Sequence, residues 1–217
     1  MNKILIFFSA LTLLSCIANT SDENLASTEN SEIELPCEDD YKIINSTFVH
    51  LALPAPVGAE KEFGYDNYAN IKNDIPAEFI NDVFFTQQLA NPTDSISFKN
   101  ELVLSENSIN KLKDPDFKSL AKQLLSAKFK VVKLDISKIQ NTGLFNLIPV
   151  DINQTVEREI GESILTYSRI VYNKKMDKAC FYFENRCSGF CGFGLFVFVE
   201  NIDGVWTIKD EIQHWVS

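Results

Sequence analysis

The chain is poor in the residues that active sites most often draw on. It has two histidines and five cysteines in 217 residues. It contains no GxSxG elbow, no GxxxxGK[ST] loop and no HExxH pair. The usual signals of nucleophile-elbow hydrolases, P-loop nucleotide hydrolases and zincins are therefore missing. Basic charge is also short: 20 Lys and Arg stand against 30 Asp and Glu, giving a net charge of −10 and a pI near 4.7. An acidic surface repels phosphate and no basic block compensates, so nucleic acid is excluded as a partner. Beyond the N-terminus the longest apolar run, Phe190 to Val199, is interrupted by Cys191, Gly192 and Gly194. This excludes a multi-span membrane protein, since a spanning helix needs about 20 apolar residues. There is no internal repeat and no Pro- or Gly-rich break. With 45% hydrophobic and 23% charged residues, the chain is also neither a disordered tail nor a collagen-like repeat.

What is present begins at the N-terminus. Met1-Asn2-Lys3 precedes an apolar run from Ile4 to Leu14, followed by Ser15-Cys16. One basic residue and a short apolar stretch form a signal-peptide layout. Leu13-Leu14-Ser15-Cys16 resembles the bacterial lipobox, which implies cleavage before Cys16 and a diacylglyceryl group on its sulfur. The alternative is an ordinary secretory signal cut near Ala18. On the lipoprotein reading, residues 1–15 are the signal peptide, and residues 16–36 are an acidic tether rich in Ser, Thr, Asn, Asp and Glu. Such composition offers little to a core. A flexible chain of this length would hold the folded part roughly 25 Å from the lipid. The expected location is the cell envelope, by lipid anchor, at the outer membrane. The acidity beside Cys16 resembles the export tags of some surface lipoproteins.

Residues 37–217 are enough for a single domain with its own core. Tyr41, Ile44, Phe48 and Leu51 share one helical face, so a helix is predicted over Glu38 to Leu53, with Pro54 and Pro56 ending it. Phe79 to Phe84 reads as a short helix opened by Pro76, or as a strand from Val83 to Thr86. Ser95 to Leu104 alternates as a strand does. Asp114 to Lys128 is the clearest helix: Asp114 caps it, Pro115 takes its first position, and Phe117, Leu120, Ala121, Leu124 and Leu125 make the apolar stripe. Phe129 to Ile136 reads as a strand. Four strands follow, over Ser163–Tyr172, Lys178–Glu184, Phe193–Glu200 and Val205–Val216. Short turns join them, and Asp203-Gly204 supplies the positive φ of a tight hairpin. The expected fold is α+β: a C-terminal antiparallel meander of about four strands, with two or three helices covering one face.

After Cys16 the cysteines are Cys37, Cys180, Cys187 and Cys191. Export permits bridges. Across a three-residue glycine-containing turn, Cys187 and Cys191 can approach bonding distance, so a Cys187–Cys191 staple is expected, contributing about 2 kcal/mol through so short a loop. Cys37 and Cys180 are a further candidate pair. Structural zinc needs four ligands, and there is no CxxC pair and only two histidines, so no metal is expected. Three residues between the sulfurs in a glycine turn do not match a redox-active pair either.

The segments Ser168-Arg169, Asn185-Arg186-Cys187-Ser188-Gly189-Phe190-Cys191-Gly192-Phe193-Gly194, Gly204-Val205-Trp206-Thr207-Ile208-Lys209 and Trp215-Val216-Ser217 resemble a group of uncharacterised bacterial lipoproteins. Ile139 to Pro149 shares the likeness. The group carries a Cys-Gly-rich turn and a Trp-Val-Ser ending, often with a basic residue where this chain has Val205. The resemblance spans the C-terminal third and implies no activity.

The remaining candidates each have a plain structural reading beside a functional one. His50 closes the first helix, where a cation faces terminal carbonyls. His214 sits in the last strand. Asp39-Asp40 and Asp210-Glu211 read as solvated acidic pairs. Phe181, Phe183, Phe193, Phe196, Phe198, Trp206 and Trp215 would fill a core or line a pocket. Asp94-Ser95-Ile96 resembles a bacterial O-glycosylation site at Ser95. Together these point to an exported, lipid-anchored binding or structural protein with no catalytic residue and no cofactor. A small-molecule or enzymatic pocket under the meander, and an inhibitor or immunity-type partner protein, are the alternatives.

Overall fold

The computed structural model describes residues 35–52, 81–90, 92, 104–126, 128–151, 163–187 and 192–217. Helix α1 (Glu38–Leu51) starts where predicted. Its first turn closes on itself, because Asp40 Oδ2 accepts from Cys37 N at 3.0 Å. That satisfies a backbone donor the helix cannot pair internally. Tyr41, Ile44, Phe48 and Leu51 are buried on one face, as the periodicity requires.

Strand β1 (Asn81–Thr86) decides the Phe79–Phe84 ambiguity in favour of a strand from residue 81 onward; Pro76 and Phe79 lie outside the described residues. The short β2 (Gln88–Leu89) pairs antiparallel with β3 (Val132–Lys133). The predicted strand Phe129–Ile136 thus shrinks to two residues. Asp135 stops it: its Oδ1 accepts from Ser137 N and Oγ, which folds the chain into a 3₁₀ turn over Ile136–Lys138. Of the predicted strand Ser95–Leu104, all but Leu104 lies outside the described residues.

A short helix, α2 (Glu106–Lys111), is capped by Ser105, whose Oγ accepts from Ser108 N at 3.2 Å. It leads into α3 (Pro115–Ser126). Here the reading held: Asp114 Oδ1 accepts from Asp116 N at 2.8 Å, and Phe117, Leu120, Ala121 and Leu124 are buried. Strand β4 (Phe145–Val150) was not anticipated. Pro149 disguises it, yet is tolerated because β4 lies at the sheet margin, where one side of the strand needs no partner.

The C-terminal strands are β5 (Ser163–Tyr167), β6 (Val171–Tyr172), β7 (Lys178–Cys187), β8 (Gly192–Ile202) and β9 (Val205–Val216). The expected first strand, Ser163–Tyr172, is split. Ser168 Oγ, rather than a backbone carbonyl, accepts from Tyr182 N at 2.8 Å, and an extra residue between β5 and β6 bulges against β7. Among the described residues the sheet has seven strands, in the order β4-β1-β5-β7-β8-β9, with β6 also on β7. β1 runs parallel to both β4 and β5; β5-β7-β8-β9 is antiparallel. The α+β class stands, with the meander extended by a parallel margin into a mixed sheet. Asp203 (φ 53°) and Gly204 (φ 88°) form the β8–β9 hairpin turn.

The helices do not all lie on one face, as had been expected. Alternate residues of β7 enter different cores. Ala179, Phe181 and Phe183 join α1 residues such as Ile44 and Phe48. Cys180 and Tyr182 join Phe117, Leu120 and Leu124 of α3. From Ala179 to Asn185 every residue of β7 is buried. A strand with no polar face must be covered twice, and fully burying each Phe stabilises by roughly 1.5–3 kcal/mol.

Candidate functional site

The α3-side face of the sheet carries a transverse row of polar residues beyond the apolar cluster. Register places Thr86 and Thr166 beside each other, then Glu184, Gly194 and Trp215 across successive strands. Thr86 Oγ1 and Thr166 Oγ1 are 2.9 Å apart and hydrogen-bond each other. Glu184 is 0% exposed. Its Oε1 lies 3.0 Å from Arg186 Nε, two residues on and therefore on the same face. Neither Glu184 oxygen accepts a hydrogen bond. A buried carboxylate with open acceptor positions is costly, and the Arg186 ion pair only partly offsets its desolvation. Beside it, Tyr182 Oη accepts from Trp215 Nε1 at 2.7 Å and lies 3.4 Å from His214 Nδ1. Gly194 makes this possible: its bare Cα leaves the space that the Tyr182 hydroxyl and the Trp215 indole occupy. A β-bulge between Gly194 and Leu195 brings His214 in next to Trp215.

A second feature lies on the opposite face, where α1 crosses β9. Ser46, His50, Trp206, Ile208, Lys209 and Glu211 are among the residues lining an open cleft of about 480 Å³. His50 Nε2 is 3.2 Å from Glu211 Oε1 across it. His50 therefore meets a carboxylate on a neighbouring strand, in addition to sitting in the last turn of α1. Glu211, half of the expected solvated pair, is part of this cleft. Trp206 forms its floor, 3% exposed and against Tyr172 with ring centroids 5.9 Å apart.

No protein-family model, curated protein or solved structure matches this chain.

The other predicted site residues are dispersed. Cys16, Cys191 and Ser95 lie outside the described residues. Cys187 ends β7 and is not among the free thiols. Cys37 and Cys180 are not bridged to each other. The sheet itself separates them. Cys37 Sγ lies 3.9 Å from Tyr172 Oη, which packs on the α1 side, whereas Cys180 is fully buried in the α3-side core. Burial pushes the Cys180 thiol well above its ordinary value. Asp40, expected to be solvated, is buried and accepts from Tyr172 Oη at 2.7 Å. Burial raises its carboxyl above the usual range, and the bonds from Tyr172 and Cys37 work against that rise. Phe181, Phe183, Phe196 and Phe198 are all 0% exposed, and so belong to the core rather than a pocket wall. Among the described residues no group of three His, Cys, Asp or Glu is arranged to hold a metal ion. The Glu184–Arg186 pair was overlooked because the aromatic run Phe181-Tyr182-Phe183 hides it. Its signal was period-two spacing, which puts Tyr182, Glu184 and Arg186 on one face.

Proposed function

We propose that this chain is an exported envelope protein, lipid-anchored through Cys16, whose folded domain works as a binding or structural component rather than an enzyme. The lipobox-like Leu13-Leu14-Ser15-Cys16 supports the anchor, and the resemblance to uncharacterised bacterial lipoproteins agrees with it. A Cys187–Cys191 bridge would staple the turn between β7 and β8 in the oxidising compartment. The observation carrying the binding reading is the full burial of Phe181, Phe183, Phe196 and Phe198. These side chains would have to wall a pocket under the meander, and they are instead packed against α1 and α3. Recognition is then left to the surface, which suits a macromolecular partner, an inhibitor or immunity-type role included.

The test is a pull-down from intact envelopes with wild type and Cys16→Ala, alongside radiolabelled palmitate. Label in the wild type, none in Cys16→Ala, and a partner retained only by the anchored form are expected. Label persisting in Cys16→Ala would defeat the anchor.

One observation favours the pocket alternative: the buried Glu184 carboxylate whose oxygens accept no hydrogen bond. An unfilled buried acceptor is what a donor-bearing small ligand would complete. Glu184→Leu separates the two readings. If Glu184 serves only the fold, the single substitution destabilises because it removes the carboxylate facing Arg186, whereas Glu184→Leu combined with Arg186→Leu is neutral or stabilising, with partner capture unchanged in both. If it holds a ligand, capture or activity is lost while the protein stays folded.

A further inference from the structure

We propose that the end of the sheet carrying the β8–β9 hairpin tip rests on the lipid headgroup layer, so that the domain stands on the membrane rather than hanging freely from its tether. The inference rests on the lipid anchor at Cys16 and deepens it by assigning a docking surface and its occupant.

A chain of contacts locates that end. The polypeptide enters the fold at Cys37, whose sulfur is 3.9 Å from Tyr172 Oη. The Tyr172 ring packs edge-on against Trp206. Trp206 pairs with Asn201, and the next pair along the hairpin is Ile202 with Val205. Asn201 N also donates to Asp177 O at 2.7 Å, which ties the β6–β7 turn to the same end. Residues 17–36 therefore lead from Cys16 to the part of the fold that holds the hairpin tip.

The surface exposed there has a composition that water alone does not explain. Hairpin tips are ordinarily polar, yet Asp203-Gly204 is flanked by two β-branched aliphatics, Ile202 at 43% and Val205 at 62% exposure, and Leu35 at the chain's entry is 83% exposed. They are three of the five large exposed hydrophobics among the described residues. Lys174 and Lys175 of the adjoining turn are also exposed. Lys178 is occupied by Asp114 and Asp116, and Lys42 by Asp39. That leaves Lys174 and Lys175 to face headgroup phosphates, beside Glu38, Asp177 and Asp203. Aliphatic side chains reaching the headgroup boundary, with lysines beside phosphates, fit an interfacial contact. A tether alone is too weakly orienting to choose a face; an apolar tip at its point of entry supplies the choice.

The experiment uses the full-length lipidated protein, reconstituted into vesicles of phosphatidylethanolamine and phosphatidylglycerol. Val205→Trp and, as a second tip variant, Ile202→Trp are compared with Gln213→Trp, near the other end of β9. Wild type, with Trp206 and Trp215, sets the background. Bromine-labelled acyl chains should quench the added tip fluorescence at least about twofold more than that of Gln213→Trp. Equal quenching at positions 202, 205 and 213, with palmitate present on Cys16, overturns the docking face and leaves the anchor standing. Absence of acyl label at Cys16 overturns the anchor and this inference with it.

Discussion

At Gly194 an added methyl group would overlap both Tyr182 Oη and Trp215 Nε1. Gly194→Ala is therefore expected to destabilise the fold by about 1–3 kcal/mol, the usual cost of overpacking. The readout is the denaturant midpoint, together with a change in the fluorescence of the half-buried Trp215. An unchanged midpoint would mean that Trp215 does not lie over the glycine in solution. Gly204 is the contrast. Nothing lies within 4 Å of a Cβ built there, but its φ of 88° is strained for any L side chain. Its substitution is felt through the turn and not through packing. The same residue type was legible at 204, from its Asp-Gly pairing, and illegible at 194, where the reason is a side chain on the neighbouring strand.

Helix α3 shows local chemistry coupling to the sheet. Burial tends to raise the Asp114 carboxyl, but bonds from Lys178 Nζ and from the backbone of Asp116 and Phe117 outweigh it and hold it below its ordinary 3.8. Lys178, in β7, is raised above 10.5, chiefly by its bond to Asp114. A carboxyl lowered in the fold contributes stability that is present above the unfolded pKa and lost as pH falls through the folded one. Asp114→Ala should therefore cost about 1 kcal/mol at neutral pH through the lost cap. Its difference from wild type should shrink on acidification below about pH 4. Thermal denaturation across pH measures both, and a difference independent of pH would sink the assignment. Asp40, raised by burial, works with the opposite sign: its contribution is present at low pH and lost as pH rises. Asp114 was readable as a cap from Asp-Pro and the stripe that follows. The Lys178 partnership was not, because it depends on a strand 64 residues away.

For the molecule as a whole, the two-sided burial of the sheet sets where its thiols stand. Cys180 is 0% exposed and its thiol is raised well above the ordinary value. An aromatic disulfide reagent should leave Cys180 unmodified in the native protein and reach it only after unfolding. Cys37, half-buried at the start of α1, should react faster. Mass mapping of the labelled peptides checks the order, and rapid native labelling of Cys180 would show the α3-side core to be open. The same two-sided burial limits where a ligand can sit. Among the described residues it leaves the α1–β9 cleft and the sheet margins accessible, while the Glu184 carboxylate is enclosed and Arg186 beside it is partly exposed.

Much of this was determined by sequence alone, because it depends on neighbours along the chain. Periodicity located α1 and α3, caps and proline set their starts, and Asp203-Gly204 set the hairpin. Strand-forming runs located β7 and β8. Other features were decided only when distant segments met. β1 enters the sheet parallel between β4 and β5, helices cover both faces, and Cys37 and Cys180 are kept apart by the sheet between them. The physical reason is range. Capping, turn geometry and hydrophobic period act within a few residues. Strand partnership, face assignment and the enclosure of a charge depend on which surfaces, far apart in the chain, exclude water together.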